Sequence, residues 1–169
     1  MAKPEAVFIY IGTYPSKAAA EADYDVVKDL HAVGAVGSYD AAVVTKDDDG
    51  KVHEHKDEMA TRHGGWGGAA VGALIGCLFP PAFIAATATG AVVGAVSGHL
   101  WRGMSRKDCK ELGDIIDDGQ AALVIVGEST IEQAVEKAEL KAEKQVAKEL
   151  DVKPKDINKA IQEAAGEVS

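Results

Sequence analysis

The sequence predicts an α+β fold, an antiparallel sheet with helices packed on one face and a glycine-rich helical hairpin inserted into it. Three observations carry this. The runs AVFIYIGTY at 6–14 and AALVIVG at 121–127 are continuously apolar and of strand length. Segments with apolar residues at helical spacing lie between and beyond them. The stretch between Trp66 and Trp101 contains no Asp, Glu, Lys or Arg, and small residues recur there at every fourth position.

The elements follow in order. Residues 6–14 form the first strand, and Ser16 is placed to cap a helix running to about Val33. That helix turns Ala20, Tyr24, Val27 and Leu30 toward a core and Lys17, Glu21, Asp25 and Lys28 outward, and Gly34 is placed to end it. YDAAVVTK at 39–46 reads as a second strand, and the Asp-Gly at the end of Asp47, Asp48, Asp49 and Gly50 signals a hairpin turn into KVHEHKD. After the glycine-rich stretch, Ser105 with Asp108 starts a helix bearing Cys109, Leu112, Ile115 and Ile116 on one face, closed by Gly119. The strand at 121–127 follows. Ser129 with Glu132 then forms a capping box for a long helix to about Leu150, and a last helix runs from roughly 156 to 165 beyond Pro154.

Strand, helix, strand, strand, inserted hairpin, helix, strand, helix is a ferredoxin-like pattern. The division expected is an α+β body from residues 1–63 and 104–150, the hairpin at 64–103, and a helical tail at 151–169. One element resists the pattern. The third strand should be central, yet KVHEHKD is polar on both faces.

At 169 residues the chain has room for one ordinary domain. Its net charge of -9 argues against nucleic acid as a partner, because phosphate binding needs a basic face. Cys77 and Cys109 have no metal or redox spacing and mark no disulfide framework, so a reducing cytoplasm is the simpler expectation. The N-terminal apolar run follows Pro4 and Glu5 and lacks a small-residue cleavage site, so it reads as a strand and not a signal peptide.

The segments DAAVVTKDDDGKVH and GHLWRGMSRKDCKELGDIIDDGQAALVIV, on either side of a proline-broken glycine-rich hairpin, resemble a prokaryotic family of unknown function whose members are often labelled predicted membrane proteins. The resemblance covers roughly residues 5–127, and beyond 127 the chain departs from the family's pattern. It implies a glycine-rich hairpin inserted in a ferredoxin-like domain. It brings no reaction and no catalytic residues.

The glycine-rich stretch carries the functional expectation. Gly64, Gly68, Gly72 and Gly76 precede Pro80 and Pro81, and Gly90, Gly94 and Gly98 follow them. Residues four apart share a helix face, so each arm presents a strip along which another backbone can come close, the predicted self-association surface. The arms, about 14 and 19 residues, reach about 21 and 28 Å at 1.5 Å per residue, against a bilayer core of about 30 Å. The apex CLFPPAFI is wholly apolar. A re-entrant wedge in one leaflet and a hairpin buried within an oligomer both fit. Trp66 and Trp101 come level in antiparallel arms with Arg62, Arg102 and Arg106 just outside, an aromatic belt with a basic collar that favours a membrane interface and a cytoplasmic body. Val71, Ile75, Leu78, Phe79, Val92, Val93 and Val96 are left needing lipid or neighbouring subunits.

Chemistry is sparse. His53 and His55 share a strand face and could hold a metal with Asp57 or a subunit mate, but two ligands are not a site. His63 and His99 lie near the open end of the hairpin. Gly65, Gly67 and Ala70 match a dinucleotide fingerprint but follow no buried strand. The aspartates at 47–49 lack calcium-loop spacing, and no serine or cysteine has a nucleophile's context. No cofactor and no metal are expected. The expected protein is therefore non-enzymatic, associates with itself and with the lipid bilayer, and has a structural or membrane-modulating role, with stress physiology as one setting. The alternative is a soluble cytoplasmic homo-oligomer, a scaffold or small-ligand binder with the hairpins in its core.

Overall fold

A strand whose residues are nearly all apolar needs cover on both faces and a partner along both edges. Two strands here meet that description, β1 (Val7–Tyr14) and β4 (Ala121–Glu128). The computed structural model describes residues 7–34, 39–55, 71, 74, 75, 78, 79, 105–116, 120–128, 130–150, 155, 156 and 159. With β2 (Tyr39–Lys46), β3 (Val52–His55) and β5 (Lys144–Leu150) these strands form one sheet in the order β3-β2-β4-β1-β5. Every neighbouring pair is antiparallel. Both apolar strands are interior, as their composition demands.

The order removes the difficulty of the polar third strand. β3 lies at an edge, where one row of backbone groups faces outward and charged side chains guard against further pairing. The central place is taken by β4, whose residues Ala121 to Gly127 are all buried.

Three helices are described, α1 (Lys17–Ala32), α2 (Arg106–Asp114) and α3 (Thr130–Ala138). They cover both faces of the sheet, which corrects the expectation of helices on one face. On the first face Val7, Ile9, Ile11, Ala42, Val44, Ala122, Val124 and Val126 pack with Cys109, Leu112 and Ile116 of α2 and with Val71, Leu74, Ile75, Leu78 and Phe79. On the second, Phe8, Tyr10, Tyr14, Ala41, Val43, Leu123 and Ile125 pack with Ala20, Tyr24 and Val27 of α1 and with Ala134 and Val135 of α3. The cause lies in the strands. Successive residues of β1 and β4 point to opposite faces and both sets are apolar, so a one-sided arrangement would leave half of them in water.

Local signals set the helix ends. Ser16 accepts from the Ala19 amide at 3.2 Å, and Gly34, at φ 77, follows the last turn of α1. Ser105 and Asp108 form the predicted capping box, with Asp108 N donating to Ser105 Oγ at 3.1 Å and Ser105 N to Asp108 Oδ2 at 3.2 Å. Lys148 Nζ on β5 also donates to Asp108 Oδ2, at 3.3 Å. The Ser105 amide first, and the Lys148 ammonium with it, hold the Asp108 carboxyl below its ordinary 3.8. A folded carboxyl that titrates below the unfolded one stabilises fully above 3.8 and loses that contribution as pH falls through the lower folded value. Asp108→Asn is therefore expected to lower the melting temperature at pH 7, with the difference from the parent closing in acid. An equal deficit at pH 7 and in strong acid would show that the charge has no part in it.

The long helix expected to Leu150 is not formed. α3 stops at Ala138, Glu139 takes φ 49, and the chain returns as β5 beside β1, with Ile11 opposite Val146. Lys, Glu, Ala and Gln between 139 and 150 favour a helix, but by tenths of a kcal/mol per residue. The open edge of a buried apolar strand needs a whole ladder of hydrogen bonds, and that need prevails. Of the last predicted helix, Lys155, Asp156 and Lys159 are helical, and the remainder lies outside the described residues.

Candidate functional site

An open cleft of about 340 Å³ lies at the end of the sheet. Lys17 borders it from the first turn of α1, Thr45 and Lys46 from the end of β2, Asp47 and Asp48 from the turn to β3, and Gln120 and Ala121 from the start of β4. Backbone bonds fix its walls. Lys46 N donates to the Gln120 carbonyl at 2.9 Å, Asp47 N to the Lys51 carbonyl at 2.8 Å, and Gly50 N to the Asp47 carbonyl at 2.9 Å. Gly50 sits at φ 83, so the acidic run is a turn, as its Asp-Gly predicts.

The charges of the cleft are mixed and engaged. Lys46 Nζ donates to the Ile116 carbonyl at 3.1 Å, and Lys17 Nζ is 3.4 Å from Glu21. With two carboxylates beside two ammonium groups, the cleft presents no single sign of charge to a ligand. His53 and His55 do share a face, but each has its own partner: His53 Nε2 lies 2.7 Å from Asp47 Oδ2, and His55 Nε2 lies 3.0 Å from Thr45 Oγ1. These contacts tie the edge strand to β2 and its turn. Among the described residues no group of three His, Cys, Asp or Glu is close enough to hold a metal ion, and Asp57 lies outside them.

Two buried carboxylates escape sequence reasoning. Asp23, 4% exposed, accepts from the Tyr14 hydroxyl at 2.6 Å and the Lys141 amide at 2.7 Å, and so joins α1, β1 and the turn before β5. Burial, then the bond to Asp23, pushes the Tyr14 phenol far up, and burial raises Tyr10 as well, so both donate as neutral groups. Asp40, 1% exposed on β2, accepts from the Val71 amide at 2.9 Å. The signal for Asp23 is its position three residues after Ala20, on the buried stripe of α1. For Asp40 the strand period offers one too, since it shares a face with Ala42 and Val44.

The residues predicted for self-association, Gly64, Gly68, Gly72, Gly76, Gly90, Gly94 and Gly98, lie outside the described residues, as do Trp66, Trp101, Arg62 and Arg102. Arg106 opens α2. Within the same stretch Val71, Leu74, Ile75 and Leu78 are helical, and they and Phe79 are at most 6% exposed. The expectation that Val71, Ile75, Leu78 and Phe79 need lipid or a neighbouring subunit is thereby corrected: the chain's own sheet covers them. Cys109 is also corrected, for it is disulfide-bonded, and the sequence offers one partner within the chain, Cys77. Among the described residues no helix is long and apolar enough to cross a membrane.

No curated protein matches the chain, and no solved structure does. A family match covers residues 65–164, taking in the glycine-rich stretch with α2, β4, α3 and β5. The match begins at residue 65, so residues 5–64 of the expected resemblance lie outside it, and it continues past residue 127, where a departure from the family is expected, through β5. On this match the chain belongs to the family described as Protein of unknown function (DUF1269).

Proposed function

We propose that the chain is a non-enzymatic, self-associating protein that works at a membrane surface through the stretch between Trp66 and Trp101, in a structural or membrane-modulating role. One observation carries the reading: a charge-free stretch with small residues, mostly glycine, at every fourth position of each arm, bordered by tryptophans and by Arg62, Arg102 and Arg106. The body supports it as a ferredoxin-like frame. β2, β4, β1 and β5, with α1 and α3 as the two crossovers, follow the ferredoxin-like strand order, and β3, the glycine-rich stretch and α2 are additions between β2 and β4.

A second reading is a soluble homo-oligomer with the hairpins in a protein core, and it is compatible with the burial of Val71, Leu74, Ile75, Leu78 and Phe79 against the chain's own sheet, where they need no lipid. Fractionation of native cells followed by a carbonate wash separates the two. Retention in the washed pellet supports insertion, whereas recovery as a discrete soluble assembly removes the membrane reading. Gly94→Leu tests the glycine strip in either case, and is expected to break the assembly because a large side chain holds the backbones apart. Unchanged assembly mass and thermal stability in that variant would remove the strip as an interface.

A further inference from the structure

The Cys109 disulfide sits where two separate parts of the chain meet. Cys109 lies on α2, is 6% exposed, and belongs to the first-face core with Leu74, Ile75, Leu78 and Phe79. Its available partner, Cys77, stands between Ile75 and Leu78 in sequence. An independent contact puts the same two segments together. One turn beyond Cys109, a Cβ added to Gly113 would collide with the carbonyl oxygen of Leu78. At this point the backbones are too close for any side chain between them.

We propose that this disulfide is a redox-cleavable latch that holds the apolar segment around residues 71–79 on α2 and the sheet, and that reduction by a dithiol lets the segment leave. Among the described residues the segment is also held by apolar contact and by the Asp40 carboxylate on the Val71 amide, neither of which is covalent. It belongs to a stretch with no charged residue between Trp66 and Trp101, so once free it has an apolar surface to cover, whether with lipid or with another copy of the chain. In the reaction a dithiol thiolate attacks one sulfur of the protein disulfide and forms a mixed disulfide. The second dithiol sulfur then closes a ring on the first. Two electrons and two protons pass to the protein as two cysteine thiols, and the dithiol leaves as a cyclic disulfide. Because Cys109 is nearly buried, attack waits on local opening, and the latch yields slowly unless the segment is already loosening. The inference goes beyond the membrane reading and does not depend on it.

Hydrogen exchange of the full chain, before and after dithiothreitol, tests it. Complete reduction is verified by alkylation and mass. Amides between 71 and 79 are expected to exchange at least tenfold faster in the reduced protein, those of β1 and β4 at an unchanged rate, and reoxidation is expected to restore protection. Cys109→Ser should match the reduced parent. Unchanged exchange at 71–79 after full reduction would overturn the proposal. Faster exchange across the whole sheet would overturn it as well, since the bond would then be a staple of the entire fold.

Discussion

Replacing Asp23 with alanine is expected to cost about 2–4 kcal/mol and to loosen the β5 edge of the sheet before the rest, because a buried hydroxyl and a part-buried amide lose their acceptor at once. Tyr14, which donates its hydroxyl to Asp23, is fully buried, and the Lys141 amide can reach this carboxylate because the turn before β5 lies over α1. A buried orphaned donor such as the Tyr14 hydroxyl costs about 1–3 kcal/mol, and the part-buried Lys141 amide adds less. Tyr14→Phe removes a single donor and should cost about 1 kcal/mol, while Asp23→Asn keeps an acceptor oxygen and should fall between. Urea unfolding measures the totals, and hydrogen exchange in residues 144–150 locates the loss. An Asp23→Ala protein within about 0.5 kcal/mol of the parent would show that the carboxylate merely fills space.

The second large effect is expected at Gly113. In an exposed helix interior, alanine in place of glycine gains about 1 kcal/mol from propensity. Here the added methyl would meet the Leu78 carbonyl oxygen, a backbone atom that cannot turn aside as a side chain can. Forcing the segments apart in a packed core costs about 1–3 kcal/mol or more, so the net effect of Gly113→Ala is destabilising despite the propensity. Lys110→Ala, on the exposed side of the same helix, provides the control and should be nearly neutral. Thermal melts of the two variants give the comparison, and equal melting temperatures would mean that the contact yields freely.

Elements whose evidence is local are legible in the sequence. β1, β2 and β4 fall where their apolar runs lie, and α1 and α2 start at the serines that cap them. Features that depend on a distant partner are not. Residues 144–150 have a helical composition and become a strand because β1 has a free edge. No redox spacing announces the Cys109 disulfide, and the residues packed around Cys109, among them Leu74, Ile75, Leu78 and Phe79, come from a distant part of the chain. Asp23 stands on a buried stripe, but nothing nearby in sequence announces that Tyr14 and the Lys141 amide will meet it. The polar character of KVHEHKD is itself a strand-order signal, since a strand of that composition belongs at an edge.

The sheet order also sets a timetable for synthesis. β1 emerges from the ribosome first, yet both its neighbours, β4 and β5, are among the last strands made. Pairings between such distant segments raise the contact order and slow folding. At about 5–20 residues per second, translation takes roughly 7–27 seconds to pass from Tyr14 to Leu150. For most of that time an apolar strand waits without a hydrogen-bonded neighbour, and Val71, Leu74, Ile75, Leu78 and Phe79 leave the exit tunnel before β4 exists to complete the face that covers them. The nascent chain is therefore at its most adhesive midway through its own production, when a holding chaperone or a nearby bilayer has the first opportunity to bind it.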